Sequence, residues 1–198
     1  MKVLVTCATR NSGMAVMRCL ASNGCKVIGA DDRELPLELH SRYTKPYYRY
    51  VAAESDSFLD SIIEIIKKER PDVTLPMNGA KQFSRHRKEI EKYTKLLVPD
   101  YESFIIANDN KTTIEEWEKI DIPCPKILTE KEAIMELNKN IDRNASVKVV
   151  IKPRKEIGGA QGLSIVKDAT SLKRAIDKTE KIYGATVIEE YIPEIRRI

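Results

Sequence analysis

Along the first hundred residues, short apolar runs rich in β-branched residues alternate with segments of helical spacing. The runs predict strands over Lys2–Cys7, Cys25–Ala30, Tyr47–Val51, Asp72–Met77 and Lys95–Val98. The segments between them predict helices over Ser12–Asn23, Phe58–Lys68 and Gln82–Tyr93. Strand and helix in alternation, with short connections, predict an α/β domain with a parallel, Rossmann-like sheet over residues 1–107.

The pattern changes after residue 107. A helix that carries Ile114 and Trp117 on its apolar face is predicted to end before Pro123, because proline cannot continue a helix. The remainder predicts helices near Lys131–Lys139 and over Ser171–Tyr183, the latter capped by Thr170 or Ser171, and strands over Lys148–Lys152, Leu163–Val166 and Ala185–Glu190. Residues 108–198 therefore read as a separate α+β unit.

Composition narrows the function classes. The 198 residues carry a formal charge of only +4, which gives no reason to expect a nucleic-acid partner. No apolar run is long enough for a membrane span or a signal peptide, so a cytoplasmic protein is expected. Four cysteines without CxxC spacing predict reduced, buried thiols, and two distant histidines predict no metal site.

The turn after the first strand, "TCATRNSG", lies where a dinucleotide-binding domain carries GxGxxG. Only Gly13 of the three glycines is present, and Asp31 ends the second strand, where an acid could bind a ribose. Acids are also common turn residues after strands. An NAD(P)-binding Rossmann protein therefore remains the less favoured reading.

The stretch "VVIKPRKEIGGAQGLSIV" (residues 149–166) gathers three of the chain's 8 glycines, Gly158, Gly159 and Gly162, shortly after Lys152. A lysine at a strand end offers a point charge to phosphate, and a glycine loop can supply backbone N–H donors. An ordinary glycine hairpin fits the same spacing. On these residues alone, both interpretations stay open.

Three segments in order, "NDNK…IPCPKI", "VVIKPRKEIGGAQGLSIV" and "VIEEYIPE", resemble the ATP-grasp superfamily, most closely its carbamoyl-phosphate-synthase-like and carboxylate–amine ligase members. The likeness covers nearly the whole chain. It implies a Rossmann-like pre-ATP-grasp domain followed by a partial ATP-grasp subdomain, with ATP and, in the complete enzyme, Mg²⁺ as cofactors. The parent reaction would activate a small carboxylate as an acyl phosphate and transfer it to an amine or ammonia.

The resemblance also implies roles for particular residues. Lys152 would contact phosphate, and Gly158, Gly159 and Gly162 would form the loop over it. Glu189, the carbonyl of Glu190 and the N–H of Ile192 would hold adenine. Lys111 would reach ATP less directly, because Asn110 stands where members of the superfamily usually have a basic residue. The segment Leu75–Ala80, after a strand, would form a rim of the substrate cleft.

The chain stops at Ile198, just after this last segment, and the magnesium ligands of the superfamily lie further along. The resemblance therefore implies an ATP-binding portion that is inactive alone and is completed by another polypeptide. A homo-oligomer is the other assembly expected. No catalytic residue is assigned. A non-catalytic nucleotide-binding or regulatory fragment is the alternative.

Overall fold

The computed structural model describes residues 1–33, 43, 46–143, 147–158 and 160–193. Contacts divide the chain into two compact parts, unit 1 over Met1–Phe104 and unit 2 over Ile105–Ile198. No helix among the described residues combines the length and the apolar character that a membrane crossing requires.

Unit 1 contains a sheet of five strands, all of them parallel. They are β1 (Lys2–Val5), β2 (Lys26–Asp31), β3 (Tyr47–Arg49), β4 (Val73–Leu75) and β5 (Lys95–Leu96). Their order across the sheet is β3-β2-β1-β4-β5. Because the chain runs outward from the central β1 through β2 to β3 and then crosses to β4, on the other side of β1, the sheet has the order of a doubly wound domain. The predicted fold class is confirmed for this part.

The helices of unit 1 are α1 (Asn11–Ser22), α2 (Phe58–Glu69), α3 (Ala80–Arg85) and α4 (Arg87–Ile90). Helix α5 (Tyr101–Ala107) contains the boundary between the two units. Helix α2 buries Phe58 and Ile62 against Leu4 of the sheet, and Phe83 of α3 completes this core with its ring 5.1 Å from that of Phe58. The predicted single helix over Gln82–Tyr93 is wrong. The backbone leaves helical geometry at His86, and the apolar spacing, which places Phe83 and Ile90 on one side, gives no sign of this break.

Unit 2 contains an antiparallel sheet formed by β6 (Ile127–Leu128), β7 (Val149–Pro153), β8 (Ser164–Val166) and β9 (Thr186–Glu190). The order across the sheet is β6-β9-β7-β8. Its helices are α6 (Asn110–Glu118), α7 (Glu130–Arg143) and α8 (Ala169–Tyr183). Helices α7 and α8 cover one face of the sheet, and the shared core comprises Leu128, Ala133, Leu137, Val149, Ile151, Val166, Leu172 and Ile188.

Three local expectations are corrected. The N-cap of α8 is Asp168, whose carboxylate accepts the Ser171 N–H at 2.8 Å, rather than Thr170 or Ser171. A charged acceptor three residues ahead satisfies the free N–H better than a hydroxyl inside the first turn. Trp117 is 42% exposed, whereas Ile114 is buried. The four cysteines are free thiols, but only Cys7 is buried as predicted; Cys19 is exposed, and Cys25 and Cys124 are half-buried.

Candidate functional site

The two faces of the unit 2 sheet differ in character. Cross-strand partners share a face, so the pairs Val150↔Glu189 and Lys152↔Val187 place all four side chains opposite α7 and α8. We name this the cleft face; by the same register it also carries Ile127 and Ile165. This face therefore carries apolar side chains around one lysine and one glutamate, and its members Val187 and Glu189 are buried.

Lys152 and Glu189 form an ion pair on the cleft face. The Lys152 Nζ lies 2.8 Å from Glu189 Oε2, and the Glu189 side chain is only 3% exposed while that of Lys152 is 28% exposed. The second oxygen, Glu189 Oε1, is buried and has no hydrogen-bond partner within the described part of the chain. Buried polar atoms are almost always hydrogen-bonded. This oxygen is therefore available to a donor that the protein itself does not supply.

The end of β9 is held by Lys126, the residue just before β6. The Glu190 N–H donates to the Lys126 carbonyl at 3.0 Å, and the Lys126 N–H donates to Glu190 Oε1 at 3.0 Å. Ile192, two residues further on, is 59% exposed. Glu189, Glu190 and Ile192 thus lie at and just after the end of β9.

The glycines of the loop between β7 and β8 have different surroundings. Gly158 has φ +80° and open space where a side chain would be. Gly162 has φ +74° and is packed, because a Cβ there would lie 2.7 Å from Pro153 Cγ and 2.8 Å from the ring of Tyr183. The hydroxyl of Thr179 on α8 also donates to the Gly162 carbonyl at 3.3 Å. Gly159 lies outside the described residues.

Between this loop and β7 is a cavity of about 30 Å³, lined in part by Asn110, Lys152, Lys155 and Gln161. A volume of this size accommodates a water molecule and nothing as large as a triphosphate. Residues of the loop, Gln161 among them, therefore line the same small cavity as Lys152.

The start of α6 is tied to the root of the glycine loop. Asp109 caps α6 by accepting the N–H groups of Lys111 and Thr112, and its Oδ2 lies 2.7 Å from Arg154 Nε. Burial would raise the pKa of Asp109, but the hydrogen bonds from Thr112 and Arg154 outweigh it and the pKa is lowered. The Asn110 N–H donates to the Arg154 carbonyl at 2.8 Å.

This arrangement separates Asn110 from Lys111. The Asn110 side chain donates to the Pro153 carbonyl at 2.9 Å and lines the small cavity. The Lys111 Nζ instead lies 3.4 Å from Glu115 on its own helix. Asn110, which sequence reasoning treated only as a departure, is the residue in contact with β7, and Arg154 was missed altogether. The one signal for this contact was the Asp109 cap ahead of a helical segment.

In unit 1, the turn between β1 and α1 is occupied by the protein's own groups. A Cβ on Gly13 would lie 2.2 Å from the Cys7 carbonyl oxygen, so this glycine permits close packing of helix on strand. The fully buried Asp31 accepts the Thr9 N–H at 2.8 Å and the Arg33 N–H at 3.2 Å. Its carboxylate stabilises the turn, so a ribose would have to compete for both oxygens.

Two further expectations concern a metal site and the segment Leu75–Ala80. Among the residues with described positions, no cluster of three or more His, Cys, Asp or Glu side chains could hold a metal ion. The segment Leu75–Ala80 follows β4 at the carboxyl edge of the sheet, and the Met77 N–H within it donates to Thr6 Oγ1 at 3.2 Å.

Neither a protein-family model nor a curated protein sequence matches the chain. Solved structures do match, and they show that the chain has an ATP-grasp fold. A biotin carboxylase–β-γ-ATP complex from Campylobacter jejuni superimposes with a TM-score of 0.68 and 19% identity over 97% of this chain and 45% of that one. An L-amino acid ligase from Bacillus licheniformis gives 0.68 and 12% over 96% and 44%.

A carboxyaminoimidazole ribonucleotide synthase from Aspergillus clavatus, complexed with ATP, gives a TM-score of 0.61 and 14% identity over 96% of this chain and 47% of that one. The chain thus spans slightly less than half the length of these three structures. At such low identities the likeness concerns the fold, in agreement with the parallel and antiparallel sheets described above.

Proposed function

We propose that unit 2 binds ATP on its cleft face. The observation that carries the proposal is the buried Glu189 Oε1, which has no partner in the described chain and lies on the carboxylate that holds Lys152. An adenine amino group is a donor of the kind this oxygen lacks. The Lys152 ammonium beside it suits a phosphate. One nucleotide would satisfy both groups.

The remaining residues have roles consistent with this. The Glu190 carbonyl and the Ile192 N–H would take the edge of the base, while apolar neighbours such as Val150 and Val187 would contact the ring. The loop of Gly158, Gly159 and Gly162 would cover the phosphates after leaving its position over the small cavity. Lys111 would contribute only if it left Glu115.

We further propose that this is the ATP-binding portion of a C–N bond-forming ligase related to the carbamoyl-phosphate synthase large chain. When bound with Mg²⁺, ATP would supply the phosphoryl group that activates a small carboxylate for transfer to an amine or ammonia. The chain's own residues would bind and orient the nucleotide. The three solved structures, which are a biotin carboxylase, an amino acid ligase and a ribonucleotide synthase, support this class without fixing the substrate pair.

Calorimetric titration of the 198-residue chain with ATP, ADP and NADH tests the proposal. We expect both adenine nucleotides to bind with and without Mg²⁺, and Lys152→Met to weaken ATP at least about tenfold, because a charge-assisted hydrogen bond is lost. Lys173→Met, on the exposed side of α8, removes the same charge and should change nothing. Lys152→Met leaves the Glu189 carboxylate buried without its counter-charge, which can destabilise the fold. The double variant Lys152→Met/Glu189→Gln removes that charge as well, so its ATP affinity shows the loss of the lysine in a chain without a buried unpaired charge.

Binding of NADH without binding of ATP or ADP would overturn the assignment. It would direct attention to the β1–α1 turn of unit 1 instead.

A further inference from the structure

Glu190 and Lys126 exchange two hydrogen bonds, and only one follows the ladder of an antiparallel pair. The Glu190 N–H donates to the Lys126 carbonyl, as the ladder requires. In a regular pair the Lys126 N–H would return a bond to the Glu190 carbonyl. It goes instead to Glu190 Oε1, at 3.0 Å. The side chain of Glu190 therefore occupies the donor that its own backbone oxygen would otherwise bind.

The Glu190 carbonyl is consequently left without a backbone donor among the described residues. It points toward β6, because the N–H and C=O of one residue lie on the same side of a strand and this N–H binds Lys126. No further donor comes from the residue ahead of Lys126, which is Pro125 and has no N–H. Among the described residues, the Glu190 carbonyl is thus an acceptor at the end of β9 that no backbone donor occupies.

Tyr191, the residue after Glu190, is held from the β7 side of the sheet. The Lys148 Nζ, just ahead of β7, lies 4.8 Å from the centre of the Tyr191 ring, within the range of a cation–π contact. Since Val149 also pairs with Glu190 in the sheet, the end of β9 is held on both sides. The free carbonyl therefore has a defined position rather than that of a loose chain end.

We propose that the Glu190 carboxylate is a positioning residue that makes this site select adenine over guanine. The inference rests on the proposed ATP binding and adds its base specificity. Adenine presents an amino donor at C6, whereas guanine presents a carbonyl oxygen there. A free Glu190 carbonyl can accept from the first and has nothing to accept from the second. By occupying the Lys126 N–H, the carboxylate keeps that carbonyl free.

Three variants separate this role from a structural one. Glu190→Met keeps the length of the side chain but has no comparable acceptor, Glu190→Gln keeps the acceptor without the charge, and Glu136→Met removes a carboxylate from the exposed pair on α7. Each chain is titrated with ATP and with GTP by calorimetry. The amide resonance of Lys126 is followed by NMR in the same samples.

We expect Glu190→Met to lower ATP affinity about fivefold, the worth of one hydrogen bond, and to leave the weak GTP binding unchanged. Glu190→Gln should restore the preference for ATP and the wild-type Lys126 resonance, and Glu136→Met should match the wild type throughout. An unchanged ATP-to-GTP ratio in a folded Glu190→Met chain would overturn the inference while the proposed function stood. If that variant does not fold, Glu190→Ala takes its place in the same comparison. A wild-type chain that binds no adenine nucleotide would refute both proposals before any variant is compared.

Discussion

At the residue scale, the unusual feature is the buried Glu189 carboxylate. One of its oxygens binds Lys152, and the other has no hydrogen-bond partner among the residues that the structure describes. The sequence offers Lys152 and Glu189 at the ends of two predicted strands, and the family resemblance gives each a role. Their pairing at 2.8 Å could not be predicted, because Glu189 lies 37 positions after Lys152. The two side chains meet only through the β7–β9 register, which pairs Lys152 with Val187 and Val150 with Glu189. Residue types are local information, whereas register is a property of the folded sheet.

The glycine loop allows a matched comparison of two substitutions. Gly162→Ala should lower the free energy of unfolding by roughly 2–4 kcal/mol, because it adds a clash with Pro153 and Tyr183 to an unfavourable φ. Gly158→Ala has the unfavourable φ alone and should cost about 1 kcal/mol. Urea denaturation of both variants measures the difference. Equal losses would mean that packing at Gly162 contributes nothing.

At the scale of secondary-structure elements, apolar periodicity predicted the long helices. It did not predict helix ends, which depend on polar capping contacts. Helix α2 was predicted within one residue, since five apolar side chains repeat along it. The cap of α8 was misplaced, because Asp168, Thr170 and Ser171 are all good capping residues and only the backbone path selects among them. The two-residue strand β6 was missed because it is too short to show any period.

The cap of α6 yields a stability prediction. Asp109→Ala removes both the cap and the partner of Arg154, and should cost roughly 2 kcal/mol, whereas Asp109→Asn keeps the cap and should cost about 1 kcal/mol. Urea denaturation at neutral pH measures both values. Asn in place of Asp therefore separates the cap from the ion pair.

The same residue predicts a pH dependence. Because the pKa of Asp109 is lowered in the folded chain, its ionised form stabilises the fold above the unfolded pKa of about 4, and this stabilisation is lost as the pH falls through the folded pKa. The unfolding free energy of Asp109→Asn should therefore decline less than that of the wild type between about pH 5 and pH 2. If the unfolding free energies of the two proteins declined equally over this pH range, Asp109 would not be the source of the pH dependence.

At the scale of the whole molecule, strand–helix alternation was enough to predict a parallel sheet, and the observed order β3-β2-β1-β4-β5 confirms it. The reason is that short connections and right-handed crossovers leave few other arrangements. Helix α5 was not predicted, because only Ile105, Ile106 and Phe104 mark its apolar side and none of the helix is buried. The residues proposed to bind nucleotide all belong to unit 2.

This distribution predicts where a nucleotide will protect the chain. Hydrogen–deuterium exchange with saturating ATP should slow in peptides that cover β7, the loop to β8 and the end of β9, and should stay unchanged over β1, α1 and β2. NADH should slow exchange neither in the peptides of β7, the loop and β9 nor in those of β1, α1 and β2. Protection concentrated at the β1–α1 turn would instead identify unit 1 as the nucleotide-binding part.

The Lys152–Glu189 ion pair has a last consequence, for the release of ligand. If unit 2 binds nucleotide as proposed, an ammonium that already has a carboxylate 2.8 Å away would offer an arriving phosphate only the difference between two partners. When the phosphate left, the same carboxylate would bind the ammonium again. The ion pair would therefore favour rapid exchange of nucleotide over long retention.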